Sequence, residues 1–325
     1  MPSSLIRLRP LPFSSLPPHP SLNDRSSSTF RPSLETFLHS ALSETQTLVA
    51  TTIPQTFKTD KKLRSSSPSA AKVQLSTGTI DNEFWVCRRS VHVDAAEEGT
   101  ATWEEFEKGL RENHSENEMA YTPSVTAVEH LLEWPIQAEI EGGWRSVHMH
   151  ERGTSYLIRQ SINQPVNLIT HTFHPSALIS PRTFISLVIS AVLPATEQSG
   201  SETPSQGFFT VQIPLTHDPA AQASDSPLPD SIRDQIRSTT PKNTIFASYA
   251  SVERVLLLPP GSSSSATNNG SNRKNIEWTM ATTSDAGGLI PQWVQRSWTM
   301  GGVPKAVVAD VGLFLDWTAR QRKKQ

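Results

Sequence analysis

The chain has 325 residues, a formal net charge of -2 at pH 7 and one cysteine, Cys87. The near-neutral charge gives no footing for nucleic-acid binding or for strong attraction to an anionic membrane. A lone cysteine excludes an intramolecular disulfide and a cysteine-based zinc site, and it fits a reducing compartment, most simply the cytosol.

Hydrophobic residues make up 36% and Pro (25) outnumbers Gly (15), so the composition predicts a real core diluted by unstructured segments. Residues 1–32 are rich in Pro and Ser and read as a disordered tail. Leu34, Phe37, Leu38, Ala41 and Leu42 recur at spacings of three and four, which predicts a helix over about 32–50. Residues 58–71 are polar and basic and read as a loop. Strands are expected at 72–77 and 84–93, the second apolar on both faces. Thr102 is placed to cap a helix through Trp103, Phe106 and Leu110. Residues 124–134 are expected to form a further short helix with Val128, Leu131 and Leu132 buried.

Residues 144–149 alternate like a strand, and β-forming runs follow at 184–193, 208–215 and 244–258. The run at 184–193 is too short to span a bilayer. The segment 216–242 reads as a loop with one helical turn near Ile232, and 259–274 as a Ser/Asn/Gly-rich excursion. In the last strand Ile276, Trp278 and Met280 point one way, Glu277 and Thr279 the other. It turns through Ser284–Gly288 and leads past Pro291 to a C-terminal helix. Val303, Val307, Val311, Phe314, Leu315 and Thr318 share one face of that helix. The whole is an α+β pattern, helices packed on an antiparallel sheet.

Several pieces carry a family resemblance: Phe84–His92, Asn113–Glu118 with Tyr121-Thr122-Pro123, Ser180–Phe184, Tyr249–Val255, and Trp278–Gly288 with Pro291 and Trp293. Over about 84–317 the chain resembles an uncharacterised fungal domain family related to START lipid-transfer domains. The resemblance implies a START-like helix-grip fold over 33–321: a curved antiparallel sheet closed by a long C-terminal helix over an apolar cavity. It implies a hydrophobic small molecule or lipid as partner, with transient membrane contact, and no known ligand. Residues 153–174 are extra relative to the family pattern and read as an insertion or a gene-model error.

The residues name no catalytic constellation, no metal site and no cofactor. His114 with Glu116, and His148 with His150, lack further ligands in view. Cys87 sits in an apolar strand without a paired base. Ser284-Asp285 suits a turn, and Gly287-Gly288 lacks the continuation of a phosphate loop. Arg88, Arg89 and Arg182 lie in strands, where a guanidinium needs a carboxylate or an anionic head group, and Glu253 is one candidate carboxylate. Trp85, Phe184, Phe208, Trp278 and Trp293 are candidate pocket walls. The leading expectation is a non-catalytic lipid- or sterol-binding or transfer domain, with the C-terminal helix hinged at Gly301-Gly302 as a lid. The alternatives are a helix-grip enzyme acting on a hydrophobic molecule and a ligand-free interaction module.

Overall fold

Eight long strands make one antiparallel sheet in the computed structural model, which describes residues 4–22, 31–145, 164–171, 180–194, 206–216, 228–259 and 273–324. They are β1 (Lys72–Ile80), β2 (Glu83–Val93), β3 (Val125–Trp134), β4 (Gln164–His171), β5 (Arg182–Val192), β6 (Gln206–Pro214), β7 (Ser248–Leu258) and β8 (Asn275–Asp285). Their order across the sheet is β1-β2-β8-β7-β6-β5-β4-β3. The helices include α1 (Leu34–Thr47), α2 (Trp103–Phe106), α3 (His114–Tyr121), α4 (Asp230–Thr239), α5 (Gln292–Gln295) and α6 (Val303–Arg322). Side-chain caps begin two of them. Ser33 accepts the Thr36 amide at the head of α1, and Thr102 with Glu105 forms a reciprocal capping box at α2.

Strand alternation sorts the side chains to two cores. On one face Trp85, Cys87, Ile189, Val211 and Val252 pack against α1, α4 and the N-terminal segment. On the other, Val86, Phe208, Val255 and Trp278 pack against Phe106, Phe314 and Trp317 of α2 and α6. The long C-terminal helix therefore closes over a curved antiparallel sheet, the helix-grip architecture.

Several segments differ from the expected secondary structure. Residues 124–134 form β3 instead of a helix, because β4 supplies a backbone partner from Val125↔His171 to Trp134↔Gln164. A register shift between His130 and Leu132 lets adjacent Leu131 and Leu132 both be buried, which mimics a helical spacing. Residues 164–171, inside the expected insertion, sit in the sheet between β3 and β5, while 153–163 and 172–174 lie outside the described residues. The expected loop at 216–242 contains the ten-residue α4, whose Ile232 and Ile236 are buried. Of the expected loop at 259–274, residues 260–272 lie outside the described residues. The loop at 58–71 adds the short strands Lys58–Thr59 and Arg64–Ser65 to the β1 edge.

The expected tail differs as well. Residues 4–22 are seated on the sheet, with Ile6, Leu11, Phe13, Leu16 and Leu22 buried. The Leu11 amide donates to the Pro214 carbonyl at 2.8 Å, and the Thr216 amide to the Leu11 carbonyl at 2.9 Å. The Leu8 amide donates to both Glu83 carboxylate oxygens, at 2.8 and 2.9 Å. Trp134 donates its indole N–H to the Pro18 carbonyl at 3.0 Å.

Candidate functional site

On the α6 side of the sheet lies a cavity of about 560 Å³. Phe184, Ser186, Tyr249 and Met280 line it from the strands, Val307 and Asp310 from α6, and Ile290 to Gly302 from the chain linking β8 to α6. That link is held by its own turn. Asp285 accepts the Gly287 amide at 2.9 Å, and the Gln295 side chain accepts the Ala286 amide at 2.9 Å. Gly288 has φ +64°, and a Cβ there would meet the Ile245 side chain at 2.8 Å. Ser284-Asp285 and Gly287-Gly288 thus serve a turn at the cavity rim.

Deeper in, a polar recess of about 20 Å³ is lined by Arg88, His114, Glu253 and Trp278. Glu118, Tyr249 and Asp310 border both spaces. Arg88 is 1% exposed. Its Nη2 donates to Glu253 Oε1 at 3.3 Å, and its guanidinium carbon lies 3.9 Å from the Trp278 ring centroid. Trp278 donates its indole N–H to the same Glu253 oxygen at 2.7 Å. Nε and Nη1 of Arg88 have no hydrogen-bond partner among the described residues.

The other charges at the recess are acidic. His114 Nδ1 lies 2.9 Å from the Leu110 carbonyl, so it is the donor nitrogen, and Nε2 faces the Gln212 amide at 3.1 Å. Its Nε2 lies 3.9 Å from Glu118. Asp310 has no ion-pair partner among the described residues. Burial pushes its carboxyl up to about 7, opposed by Arg88 and reinforced by Glu118 and Glu253. Burial likewise raises Glu118. On the same sheet face, burial and then the Arg88 charge push His92 down to about 3, and Ser90 bonds its Nε2 at 2.8 Å.

The Asp310 shift predicts a pH effect on stability. A carboxyl whose folded pKa lies above its unfolded value of 3.8 leaves the folded state holding more protons between about 4 and 7. Stability from this group is therefore full below about pH 4 and falls as pH rises to about 7. Asp310→Asn keeps the shape and removes the ionisation. Its stability relative to the parent is expected to rise through that window and level off above it. Urea unfolding of both proteins across pH checks this, and a flat difference would refute it.

The structure separates the expected site residues. Arg88, Arg182, Phe184 and Trp278 border the cavity or its recess. Arg182 donates its Nε–H to the Ala286 carbonyl at 3.2 Å at the rim. The other four are corrected. Trp85 points into the core on the opposite face, because it alternates with Val86. Arg89 shares that opposite direction and pairs with Glu277, which also binds Arg254. Phe208 is fully packed under α2 and α6. Trp293 is 64% exposed on α5. Of the two partners expected for a strand guanidinium, Arg88 has the internal carboxylate, supplied by Glu253.

Cys87 is buried away from the cavity, and burial pushes its thiol up to about 11. The pair His114/Glu116 is split, since Glu116 turns outward to His130. His148, His150 and His174 lie outside the described residues. Among the described residues no cluster of three His, Cys, Asp or Glu is placed to hold a metal. Two acids were missed. Asp310 falls in the stripe of Val303, Val307 and Phe314, an acid on an apolar face, and Glu118 lies one helical turn after His114. Those were legible signals.

Comparison with known proteins adds three findings. No curated protein matches the sequence. The fold is similar to the crystal structure of human STARD10, at 12% identity and TM-score 0.43, covering 92% of this chain and 86% of that one. A family's sequence model matches residues 85–318, most of the chain, and the protein therefore belongs to the family described as "Protein of unknown function (DUF3074)".

Proposed function

We propose that this domain binds a hydrophobic small molecule or lipid and carries it, without chemical change, in the cavity under α6. The observation that supports this is the cavity itself. Its volume of about 560 Å³ falls in the range of ligand sites, and its walls are mainly apolar above a polar floor. Burial of a chain at about 0.8 kcal/mol per CH2 drives such binding. The exposed Leu289, Trp293 and Met300 beside the rim support a transient bilayer contact during exchange. Gly301, at φ +80°, and Gly302 form the proposed hinge.

Native mass spectrometry and solvent extraction of the purified chain test the reading. A co-purifying lipid, or transfer of one between liposomes, is the expected result. Met280→Trp, which puts an indole into the cavity, is expected to lower occupancy about tenfold while moving Tm by less than about 4 °C. Full occupancy in that variant, or no bound and no transferred lipid in the parent, would overturn it.

A second reading, an enzyme acting on the same class of molecule, has one observation behind it. Glu118 and Asp310 hold raised carboxyl pKa values beside the cavity, as general acids do. Recovery of the bound molecule unchanged after prolonged incubation decides against it. The cavity weighs against a ligand-free interaction module.

A further inference from the structure

We propose that the cavity selects an amphiphile with a protonated amine at its head, held by Asp310 with Glu118, over a matched alcohol or carboxylate. The inference rests on the binding reading above and adds the chemistry of the head group.

Its basis is the distribution of charge around the floor. Two cations face the cavity and its recess. Arg88 is matched by Glu253 and stacked on Trp278. Arg182 sits at the rim and spends donors on the carbonyls of Ala286 and Ser180. Three acids face them: Glu253, Glu118 and Asp310. With Glu253 assigned to Arg88, Glu118 and Asp310 remain at the junction of recess and cavity. Glu118 lies 3.9 Å from His114 and is hydrogen-bonded by the Gln212 side chain, with no Lys or Arg partner among the described residues. Asp310 has no ion-pair partner among the described residues. Glu118, Asp310 and Glu253 border one small recess, where burial raises the Glu118 and Asp310 carboxyls and the Glu253 charge adds to both. An incoming carboxylate or phosphate meets like charge there, whereas an ammonium supplies the missing positive charge and up to three donors to acceptor-only carboxylates. Phe184 and Tyr249, an edge-to-face pair with ring centroids 6.4 Å apart, add π-faces on the same wall.

Arg88 does not reverse this balance. Its unpartnered Nε and Nη1 are buried, and a guanidinium that is 1% exposed offers little surface to a ligand head. The cavity also has room for the chain. At ~30 Å³ per water molecule, about 560 Å³ corresponds to about 19 waters, more than the roughly 13 non-hydrogen atoms of a dodecyl amphiphile.

The test measures displacement of a fluorescent apolar dye from the full chain by dodecylamine, dodecanol and dodecanoate at about pH 8, with native mass spectrometry as the direct readout. Dodecylamine is expected to bind at least about tenfold tighter than dodecanol, with dodecanoate weakest. Asp310→Asn is expected to weaken the amine about tenfold and to change the alcohol less than about twofold. Glu118→Gln, with a smaller loss in the same direction, is the second variant should Asp310→Asn fold poorly. Dodecanol or dodecanoate binding as tightly as the amine overturns the amine selection and leaves the cavity reading intact. An equal loss for all three probes in both variants overturns the assignment to these acids. Binding of none of the probes overturns the cavity reading and this inference with it.

Discussion

Glu253→Gln is expected to destabilise the protein by about 3–5 kcal/mol, because it removes the ion-pair partner of the buried Arg88 charge. Arg88 cannot relieve this by turning to water, since it lies in mid-sheet with Trp278 stacked against it. The same Glu253 oxygen accepts from Trp278, so the carboxylate fixes two of the largest side chains of the α6-side core. Pairing the change with Arg88→Met is expected to recover most of the loss, because an apolar isostere replaces the orphaned charge. Urea unfolding of the two single variants and the double variant measures it. A single-variant loss below about 1 kcal/mol, the range of an exposed ion pair, would show that the pair is solvated.

Deleting residues 1–22 is the other change with a large expected effect. Five buried apolar side chains leave the sheet at roughly 1.5–3 kcal/mol each, and the face beneath them is uncovered. Chain entropy regained by the freed segment offsets part of that. A net loss on the order of 5 kcal/mol is expected, comparable to the whole stability of a marginal domain. Glu83 and Glu44 also lose backbone donors from Leu8, Leu5 and Ile6. A free tail would be removed without consequence. The melting transition of the truncated chain separates the two cases: an unchanged Tm means the segment contributes nothing, and aggregation or a lowered Tm means it is part of the fold.

These two cases differ in how visible they were in the residues. Arg88 and Glu253 both stand in strands with clear alternation, and a buried guanidinium needs a carboxylate. The need for the pair was thus readable before its geometry. The seating of residues 4–22 was not. Its backbone partners are Pro214, Glu44 and Glu83, remote in sequence, and its apolar residues have no period. A Pro-rich segment that pairs through a few distant carbonyls looks the same in sequence as one that pairs with nothing.

The cavity residues divide in the same way. Phe184 and Trp278 were found because large aromatics in strands are conspicuous. Trp85 and Phe208 were equally conspicuous and lie in packed core. Alternation gives two faces for β2, and it does not say which face meets α6 and which meets α1. Glu118 and Asp310 come from α3 and α6, two helices whose approach depends on both packing on the same sheet face.

By itself, the sequence determined the strand and helix inventory around Phe84–Val93 and Thr244–Trp317, the α+β class and the turn at Gly287-Gly288, because local period, capping and positive φ are short-range properties. Only the tertiary structure decided which face of each strand is lined and which is packed, that residues 4–22 pack on the sheet and 164–171 pair within it, and that the cavity floor is acidic. Those outcomes depend on contacts between segments far apart in the chain. A side chain's local pattern gives the direction in which it points, and the remote element across from it decides what it meets.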